Sequence, residues 1–219
     1  MSIVRRRRTA AVTVVEAARA PVAGPPAVTD QLPVPRSAEG DDATTAVAPA
    51  GAAELVALVQ DGTAAGGTAT GPVLLVGSSG GHLAQLLPLA GLWSQDRVLW
   101  VTFPTPDADS QLEGRRVVHC YHPTTRNIPN LVRNGVLAWR LLRSERPSAV
   151  VSTGAGVAVP FVLLGRLLGI PTVFIEVYDR IDSATLTGRL CRPFASRVLV
   201  QWEEQRRMYP HAIVIGPLL

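Results

Sequence analysis

From residue 71 onward, short unbroken apolar runs alternate with longer helical patterns. Continuous runs of Val, Leu and Ile are typical of strands that are buried on both faces of a parallel sheet. Helical patterns between such strands indicate crossover connections. The sequence therefore predicts an α/β fold: a single doubly wound, Rossmann-like domain. We expect strands at 73–76, 97–102, 116–119, 149–152, 172–175, 197–200 and 213–215, and helices at 82–93, 129–144, 157–168, 184–194 and 202–208.

Residues 1–70 differ in composition from the rest of the chain. They contain no Phe, Trp or Tyr and consist mainly of Ala, Thr, Gly, Pro and Val. We therefore expect a disordered, low-complexity arm at 1–70 and a folded domain at 71–219. The arginines at 5–8 precede an apolar run that ends at Val15, which is short for the apolar core of a signal peptide. No run approaches the roughly 20 apolar residues of a membrane-spanning helix.

All 21 basic residues are arginines, because the chain contains no lysine. This excludes a Schiff-base lysine and the lysine of a phosphate-binding P-loop. The formal net charge of +4 suits an anionic ligand or a membrane surface, although a solvated arginine-rich surface explains it equally well. The two cysteines, Cys120 and Cys191, lack metal-ligand spacing, and the acidic residues are scattered. We expect no metal site and no nucleic-acid partner.

The apolar run at 73–76 leads into "GSSGG" at 77–81, for which three interpretations are open. The first is the G-x-S-x-G nucleophile elbow of a serine hydrolase, with Ser79 as the nucleophile. An elbow serine usually follows several earlier strands, whereas Ser79 follows the first one. The later acids and histidines that this alternative requires are Asp179, Asp182 and His211.

The second interpretation is a stand-alone nucleotide-binding domain. A dinucleotide loop has the pattern G-x-G-x-x-G and an acidic residue at the tip of the second strand, which binds the ribose. Here Ser79 occupies the third loop position, and the second strand runs into "VTFPTPD" without an acid at its tip. A P-loop is excluded by the absence of lysine.

The third interpretation is a loop that binds phosphate or pyrophosphate. Small residues let the backbone approach a ligand closely, and free N–H groups at the start of the next helix favour an anion. His82 lies in the first turn of that helix, where it could donate to a phosphate or sugar oxygen. The alternative for His82 is a hydrogen bond to the local backbone.

A second glycine-rich loop, "STGAG" at 152–156, follows the fourth predicted strand. Parallel strands end at the same edge of a sheet, so both loops can converge on one ligand. The alternative is a tight turn that only allows the helix and strand to pack closely.

Longer segments surround these motifs: "GSSGGHLAQLL", "RPSAVVSTGAGVAVPFVLLGRLLGIPTVFIE", "ATLTGRL" and "ASRVLVQWEEQRRMYPHAIVIGPL". In this order they resemble the oligosaccharide-biosynthesis family that includes eukaryotic Alg14 and bacterial capsule and exopolysaccharide proteins of the CpsF and PssD kind. The first loop is also similar to that of the peptidoglycan glycosyltransferase MurG. The resemblance covers nearly all of the domain predicted at 71–219.

The resemblance implies the N-terminal, acceptor-side half of a GT-B glycosyltransferase. Such a half works with a separate small catalytic subunit that binds the UDP-sugar, so we expect no cofactor on this chain itself. The implied reaction transfers a sugar to a polyprenyl-pyrophosphate-linked saccharide. The implied location is the cytoplasm, in peripheral contact with the inner face of the plasma membrane.

The resemblance also implies roles for individual residues. His82 and Glu176 are expected to be catalytic, as a base or as contacts to the acceptor sugar, and Arg180 is expected to bind phosphate. The alternative for Glu176 and Arg180 is an ion pair with each other. The residues implied to hold the pyrophosphate are Gly77, Ser78, Ser79, Gly80, Gly81, Ser152, Thr153, Gly154 and Gly156.

The segment 129–146 has the pattern of an amphipathic helix that contains tryptophan and arginine. Such a helix can lie on an anionic lipid surface. The alternative is a helix with one face in the core and a charged face in solvent. Its apolar positions are Leu131, Val132, Val136, Trp139 and Leu142, and its basic positions are Arg133, Arg140, Arg143 and Arg146.

Overall fold

The computed structural model describes residues 53, 55–57 and 71–219, and from Val73 these residues form a doubly wound α/β domain. Seven parallel strands make one sheet in the order β3-β2-β1-β4-β5-β6-β7. The predicted doubly wound, Rossmann-like parallel sheet is therefore confirmed. The strands are β1 (Val73–Val76), β2 (Val98–Thr102), β3 (Val117–His119), β4 (Ala149–Ser152), β5 (Thr172–Ile175), β6 (Arg197–Val200) and β7 (Ile213–Val214).

Helices cover both faces of this sheet. They are α1 (Gly81–Ala90), α2 (Pro106–Gln111), α3 (Ile128–Glu145), α4 (Ala158–Leu167) and α5 (Leu186–Cys191). The helix predicted at 202–208 is a 3₁₀ helix at Glu203–Arg207, and a second 3₁₀ turn lies at Gln95–Arg97.

Sequence patterning did not predict α2. Only Ala108 among its six residues is buried, so it has no apolar stripe with helical period. Its signal is local instead, since Pro106 stands in the first turn and Asp107 follows it. Proline and acidic residues are both favourable at the start of a helix.

The apolar strands form the centre of the core because their side chains alternate between the two faces of the sheet and are buried on both. On β1, Val73 and Leu75 pack in the cluster that contains the buried face of α1. The alternate residues Leu74 and Val76 pack on the other side, with the buried residues of α3 and α4. Each fully buried side chain of this size contributes about 1.5–3 kcal/mol, which explains why these runs have no polar alternation.

The core also includes one residue from the segment predicted as a disordered arm. Leu55 is helical and only 1% exposed, and it belongs to the cluster on the α1 side of the sheet. The domain therefore includes at least this residue before the boundary predicted at residue 71. The rest of the predicted arm, including the arginines at 5–8, lies outside the described residues apart from 53, 56 and 57.

The chain order places a crevice at one edge of the sheet. The chain runs from β1 outward to β2 and β3, then returns to place β4 on the other side of β1. The loops after β1 and β4 therefore flank the switch point, where ligands of open α/β sheets bind. Among the helices of the described part, none is long and apolar enough to cross a membrane.

The contribution of Leu55 can be measured directly. We expect Leu55→Ala to lower the free energy of unfolding by about 2–4 kcal/mol, because it leaves a cavity in the core. The neighbouring half-buried Val56 provides the control, and Val56→Ala should cost about 1 kcal/mol or less. Urea denaturation of the full chain measures both. Equal, small losses would show that Leu55 does not pack in the core.

Candidate functional site

The first glycine loop, 77–81, connects β1 to α1 at the switch point. Gly77 donates its N–H to the Val101 carbonyl (3.0 Å), and a Cβ on it would lie 2.9 Å from a leucine methyl of α1. Gly80 has φ +72° and ψ −135°, a conformation that glycine adopts without strain. A Cβ on Gly81 would meet no atom within 4 Å. The start of α1 therefore faces open space.

Two helices begin at this edge without a capping side chain. The residues before α1 and α4 are Gly80 and Val157, and neither has a side chain that can accept a hydrogen bond from the first N–H groups of the helix. Neither first turn contains an acidic residue. Both helices thus retain free backbone N–H groups and the positive end of the helix dipole, which favour an anion.

A reciprocal pair of hydrogen bonds joins the two glycine loops. The His82 ring donates from Nδ1 to the Thr153 carbonyl (2.9 Å), and the Thr153 hydroxyl donates to the His82 carbonyl (2.9 Å). Because a carbonyl oxygen only accepts, Nδ1 carries the ring proton. The bond therefore leaves Nε2 of the neutral ring as a proton acceptor. His82 does bind backbone, as one alternative expected, but the backbone of the other loop.

Burial keeps this imidazole neutral. Desolvation lowers the pKa of His82, and the hydrogen bond to Thr153 and the charges of Asp179 and Glu176 oppose the shift only in part. A neutral ring at neutral pH can take up a proton at Nε2.

The second loop has the backbone that its glycines predict. The buried Ser152 hydroxyl accepts the N–H of Gly154 (3.1 Å), and Gly154 itself has φ +117°. Ala155 follows with φ +63°, which is unusual for a residue with a Cβ. A Cβ on Gly156 would lie 2.9 Å from the Thr124 side chain. This loop therefore packs directly against the segment that follows β3.

A cleft of about 770 Å³ lies between the two loops and the segment after β3. Of the predicted site residues, Ser78, His82 and Gly156 line it, while Ser152 and Thr153 are buried behind its wall. The full lining comprises Ser78, His82, Phe103, 122–128, Leu131, 155–156, Val159, 186–187 and Leu190.

The segment 122–127 forms a third wall of the cleft, beside the two glycine loops, and the sequence analysis did not predict it. Two asparagines of α3 hold it. Asn134 exchanges hydrogen bonds with the N–H and carbonyl of Tyr121 (both 2.8 Å), and Asn130 donates to the Pro123 carbonyl (3.0 Å). The available signal was the polar run "HPTTRN" after the third strand, because the third strand ends at the same edge as the glycine loops.

Residues 112–218 match the family described as "Oligosaccharide biosynthesis protein Alg14 like". The chain is 36% identical over 75 residues to "UDP-N-acetylglucosamine transferase subunit alg14" of Schizosaccharomyces pombe, covering 32% of this chain and 36% of that protein. It is 28% identical over 150 residues to the "UDP-N-acetylglucosamine--N-acetylmuramyl-(pentapeptide) pyrophosphoryl-undecaprenol N-acetylglucosamine transferase" of Halothermothrix orenii, covering 61% of this chain and 38% of that protein. These matches confirm the expected resemblance to Alg14-like proteins and to MurG-like transferases.

The chain thus spans little more than a third of the length of these two relatives. A solved structure, the UDP-N-acetylglucosamine 2-epimerase of Rickettsia bellii, aligns with a TM-score of 0.53 at 12% identity, covering 67% of this chain and 45% of that chain. At that identity the likeness concerns the fold alone, and it agrees with a Rossmann-like half of the GT-B type.

Glu176 does not reach the cleft. Its buried carboxylate accepts the Thr185 hydroxyl (3.0 Å), the Val177 N–H (3.2 Å) and the Tyr209 hydroxyl. Burial, together with this carboxylate, raises the pKa of Tyr209. Thr185 in turn caps α5 by accepting the N–H of Gly188 (2.9 Å). Glu176 therefore fixes the start of α5, and the expected contact with a ligand has no geometric basis here.

Arg180 and Ser79 also lie outside the cleft lining. Arg180 is exposed. Among the described residues it forms no ion pair with Glu176, so the alternative of a Glu176–Arg180 pair is wrong. No hydrogen bond connects Ser79 with His82, whose Nδ1 is engaged by Thr153. His211 precedes β7 and thus lies at the opposite edge of the parallel sheet. The nucleophile-elbow interpretation gains no support from this geometry.

Within the part of the chain that the structure describes, the cysteines and the metal-ligating side chains form no further site. Cys120 and Cys191 are buried, and burial raises the pKa of each thiol to about 12, so both stay protonated at neutral pH. Within the described residues, no three His, Cys, Asp or Glu side chains are placed to hold a metal ion.

The lowered pKa of His82 has a defined effect on stability. Between the folded pKa and the unfolded value of 6.5, the unfolded chain binds more protons than the folded one. The stability associated with His82 is therefore complete above pH 6.5 and decreases as the pH falls through the folded pKa. In His82→Asn, the amide can still donate to Thr153 but does not titrate, so we expect a smaller loss of unfolding free energy between pH 7 and pH 5. Urea denaturation across this range measures the difference, and identical pH profiles would contradict the assignment.

Proposed function

We propose that this chain is the acceptor-binding subunit of a two-component glycosyltransferase. The complex would transfer a sugar, such as GlcNAc or galactose, from a UDP-sugar to a polyprenyl-pyrophosphate-linked saccharide for surface polysaccharides or lipid-linked oligosaccharides. The observation that carries the proposal is the junction of the two glycine loops, where the His82–Thr153 hydrogen bonds bring two uncapped helix starts to one cleft.

The geometry suits the pyrophosphate of such an acceptor. Each helix start offers backbone N–H groups and a partial positive charge of about half an elementary charge. Gly80 and Gly81 have open space where a side chain would stand, whereas at Gly154 the missing Cβ leaves room for the His82 ring. Two such starts can share the charge of a diphosphate, which supports a ligand with two linked phosphates.

His82 is the candidate general base. The Thr153 carbonyl holds Nδ1–H, so Nε2 can accept the proton of the acceptor hydroxyl as the hydroxyl oxygen attacks the anomeric carbon of the donor sugar. The bond from that carbon to the UDP oxygen breaks as the new glycosidic bond forms, and UDP leaves with the electron pair. Attack from the side opposite the leaving group inverts the anomeric centre. The proton on His82 then passes to solvent.

We assign UDP-sugar binding to a separate catalytic subunit. The S. pombe relative is named as a transferase subunit, and the H. orenii relative is named for transfer to a pyrophosphoryl-undecaprenol acceptor. Both names support an N-acetylglucosamine transferase, and the second supports a lipid-linked pyrophosphate as the acceptor. The cleft described here would supply the acceptor side of that reaction.

The mouth of the cleft supports peripheral contact with the inner face of the plasma membrane. Ile128 of α3 and Leu186 of α5 line the cleft and are 72% and 74% exposed. Val132, which is 61% exposed, lies one helical turn after Ile128, and these three residues form an apolar rim. α3 also presents Arg133 and Arg140 to solvent. Apolar side chains combined with arginine favour an anionic lipid surface. A rim at the mouth would let a polyprenyl chain remain in the membrane while its pyrophosphate enters the cleft.

Sugar transfer tests the function. The chain is purified alone and after coexpression with the product of the adjacent reading frame, and each sample receives labelled UDP-GlcNAc or UDP-galactose and a polyprenyl-pyrophosphate-linked sugar. We expect labelled product only from the coexpressed pair. His82→Ala and Gly81→Val should each lower the rate at least 100-fold, because one removes the base and the other fills the open helix start.

Circular dichroism and urea denaturation show whether these variants remain folded. Robust transfer by the chain alone would contradict the two-component proposal. Wild-type rates in both variants would contradict the cleft as the acceptor site. Labelling of Ser79 by a fluorophosphonate would favour the hydrolase instead.

Vesicle binding tests the membrane contact. We expect replacement of Ile128, Val132 and Leu186 by serine to weaken binding to vesicles of phosphatidylcholine and phosphatidylglycerol about tenfold or more, since three apolar side chains no longer enter the lipid. The matched control is Leu167→Ser, because Leu167 is 70% exposed but lies at the far end of α4. Sedimentation with vesicles measures both. Equal binding of the two variants would exclude the rim.

A further inference from the structure

We propose that Arg126 is a phosphate-binding residue of the cleft and supplies the permanent cation for the acceptor pyrophosphate. This inference rests on the proposed function and names the residue that binding requires. Arg126 lies in the segment 122–127 after β3 and is one of the lining residues. Arginine binds phosphate through several N–H groups at once.

Arg126 combines an unusual backbone conformation with a place in the cleft lining. Its φ is +51°, in the left-handed region where a residue with a Cβ is strained and Gly or Asn is favoured. The residue is exposed, so core packing does not require this side chain. Strained residues cluster at functional sites; Arg146 shows that positive φ alone does not mark one, and at Arg126 the conformation coincides with the cleft lining.

The segment around Arg126 is held from three directions. Asn127 accepts the N–H of Asn130 and caps α3 (2.9 Å), and Asn130 donates to the Pro123 carbonyl (3.0 Å). Thr124 packs so closely on the second glycine loop that Gly156 has no room for a Cβ. These contacts fix the backbone on both sides of Arg126 next to the loop that opens α4.

The charges of the lining also single out Arg126. The titratable residues that line the cleft are His82, His122 and Arg126, and none of the described lining residues is acidic. Burial lowers the pKa of His82, so that ring carries no charge at neutral pH. The guanidinium of Arg126 forms no ion pair within the described residues. It therefore remains available to a ligand, whereas Arg180, the arginine expected from the sequence, lies outside the cleft.

Arg146 provides a matched control within the same chain. It has φ +46° at the C-terminal end of α3, is also exposed and lies outside the cleft lining. Arg126→Asn and Arg146→Asn each remove one positive charge from a left-handed position that asparagine tolerates. Both variants should keep or raise the urea midpoint of the wild type.

Calorimetric titration of the full chain with inorganic pyrophosphate and with farnesyl diphosphate separates the two variants. We expect Arg126→Asn to weaken binding at least tenfold, Arg126→Lys to weaken it less, and Arg146→Asn to leave it within about twofold of the wild type. Equal affinity of Arg126→Asn and the wild type, or equal losses in both asparagine variants, would overturn the assignment.

Gly81→Val distinguishes this result from a failure of the proposed function. Loss of binding in Gly81→Val but not in Arg126→Asn would retain the glycine-loop site and reject Arg126. A wild type that binds neither diphosphate would contradict the acceptor site itself, and the role of Arg126 with it.

Discussion

The hydrogen bonds between His82 and Thr153 join the two glycine loops that form two walls of the cleft. They join the loops after β1 and β4, which flank the switch point of the sheet. They also select the ring tautomer and leave Nε2 as the acceptor. Because the ring is largely buried, its pKa falls and it stays neutral. One pair of contacts thus influences both the shape of the cleft and the protonation state of its candidate base.

A buried polar network supports this arrangement from behind. Gln201 donates to Gln85 (2.6 Å) and to the Glu176 carbonyl (3.0 Å), while Gln85 donates to the Gly81 carbonyl in the first turn of α1 (3.1 Å). Gln201 also accepts the N–H of Leu218 (2.9 Å). Buried polar groups are costly unless they find partners, and these groups have them. The network ties the start of α1 to the ends of β5 and β6.

The sequence predicted much of the fold and part of the site. Continuous apolar strands predicted the sheet, and glycine-rich turns after β1 and β4 predicted loops at one edge. His82 was correctly placed at that edge. α2 was missed because it buries a single residue, and Leu55 was missed because its neighbours in sequence lack aromatic residues. The segment 122–127 was missed because its polar residues have no glycine pattern and are held by asparagines from α3.

What the sequence determined by itself was the order of the elements, because burial on two faces imposes continuous apolar runs and tight turns impose glycine. Only the tertiary structure decided which polar side chains face the cleft. Glu176 and Arg180 follow β5 closely, yet Glu176 turns inward to Thr185 and Tyr209, and Arg180 stays in solvent. Arg126 lines the cleft instead. The direction in which a polar side chain points depends on contacts between segments that are distant in sequence, and a local sequence pattern carries no information about those contacts.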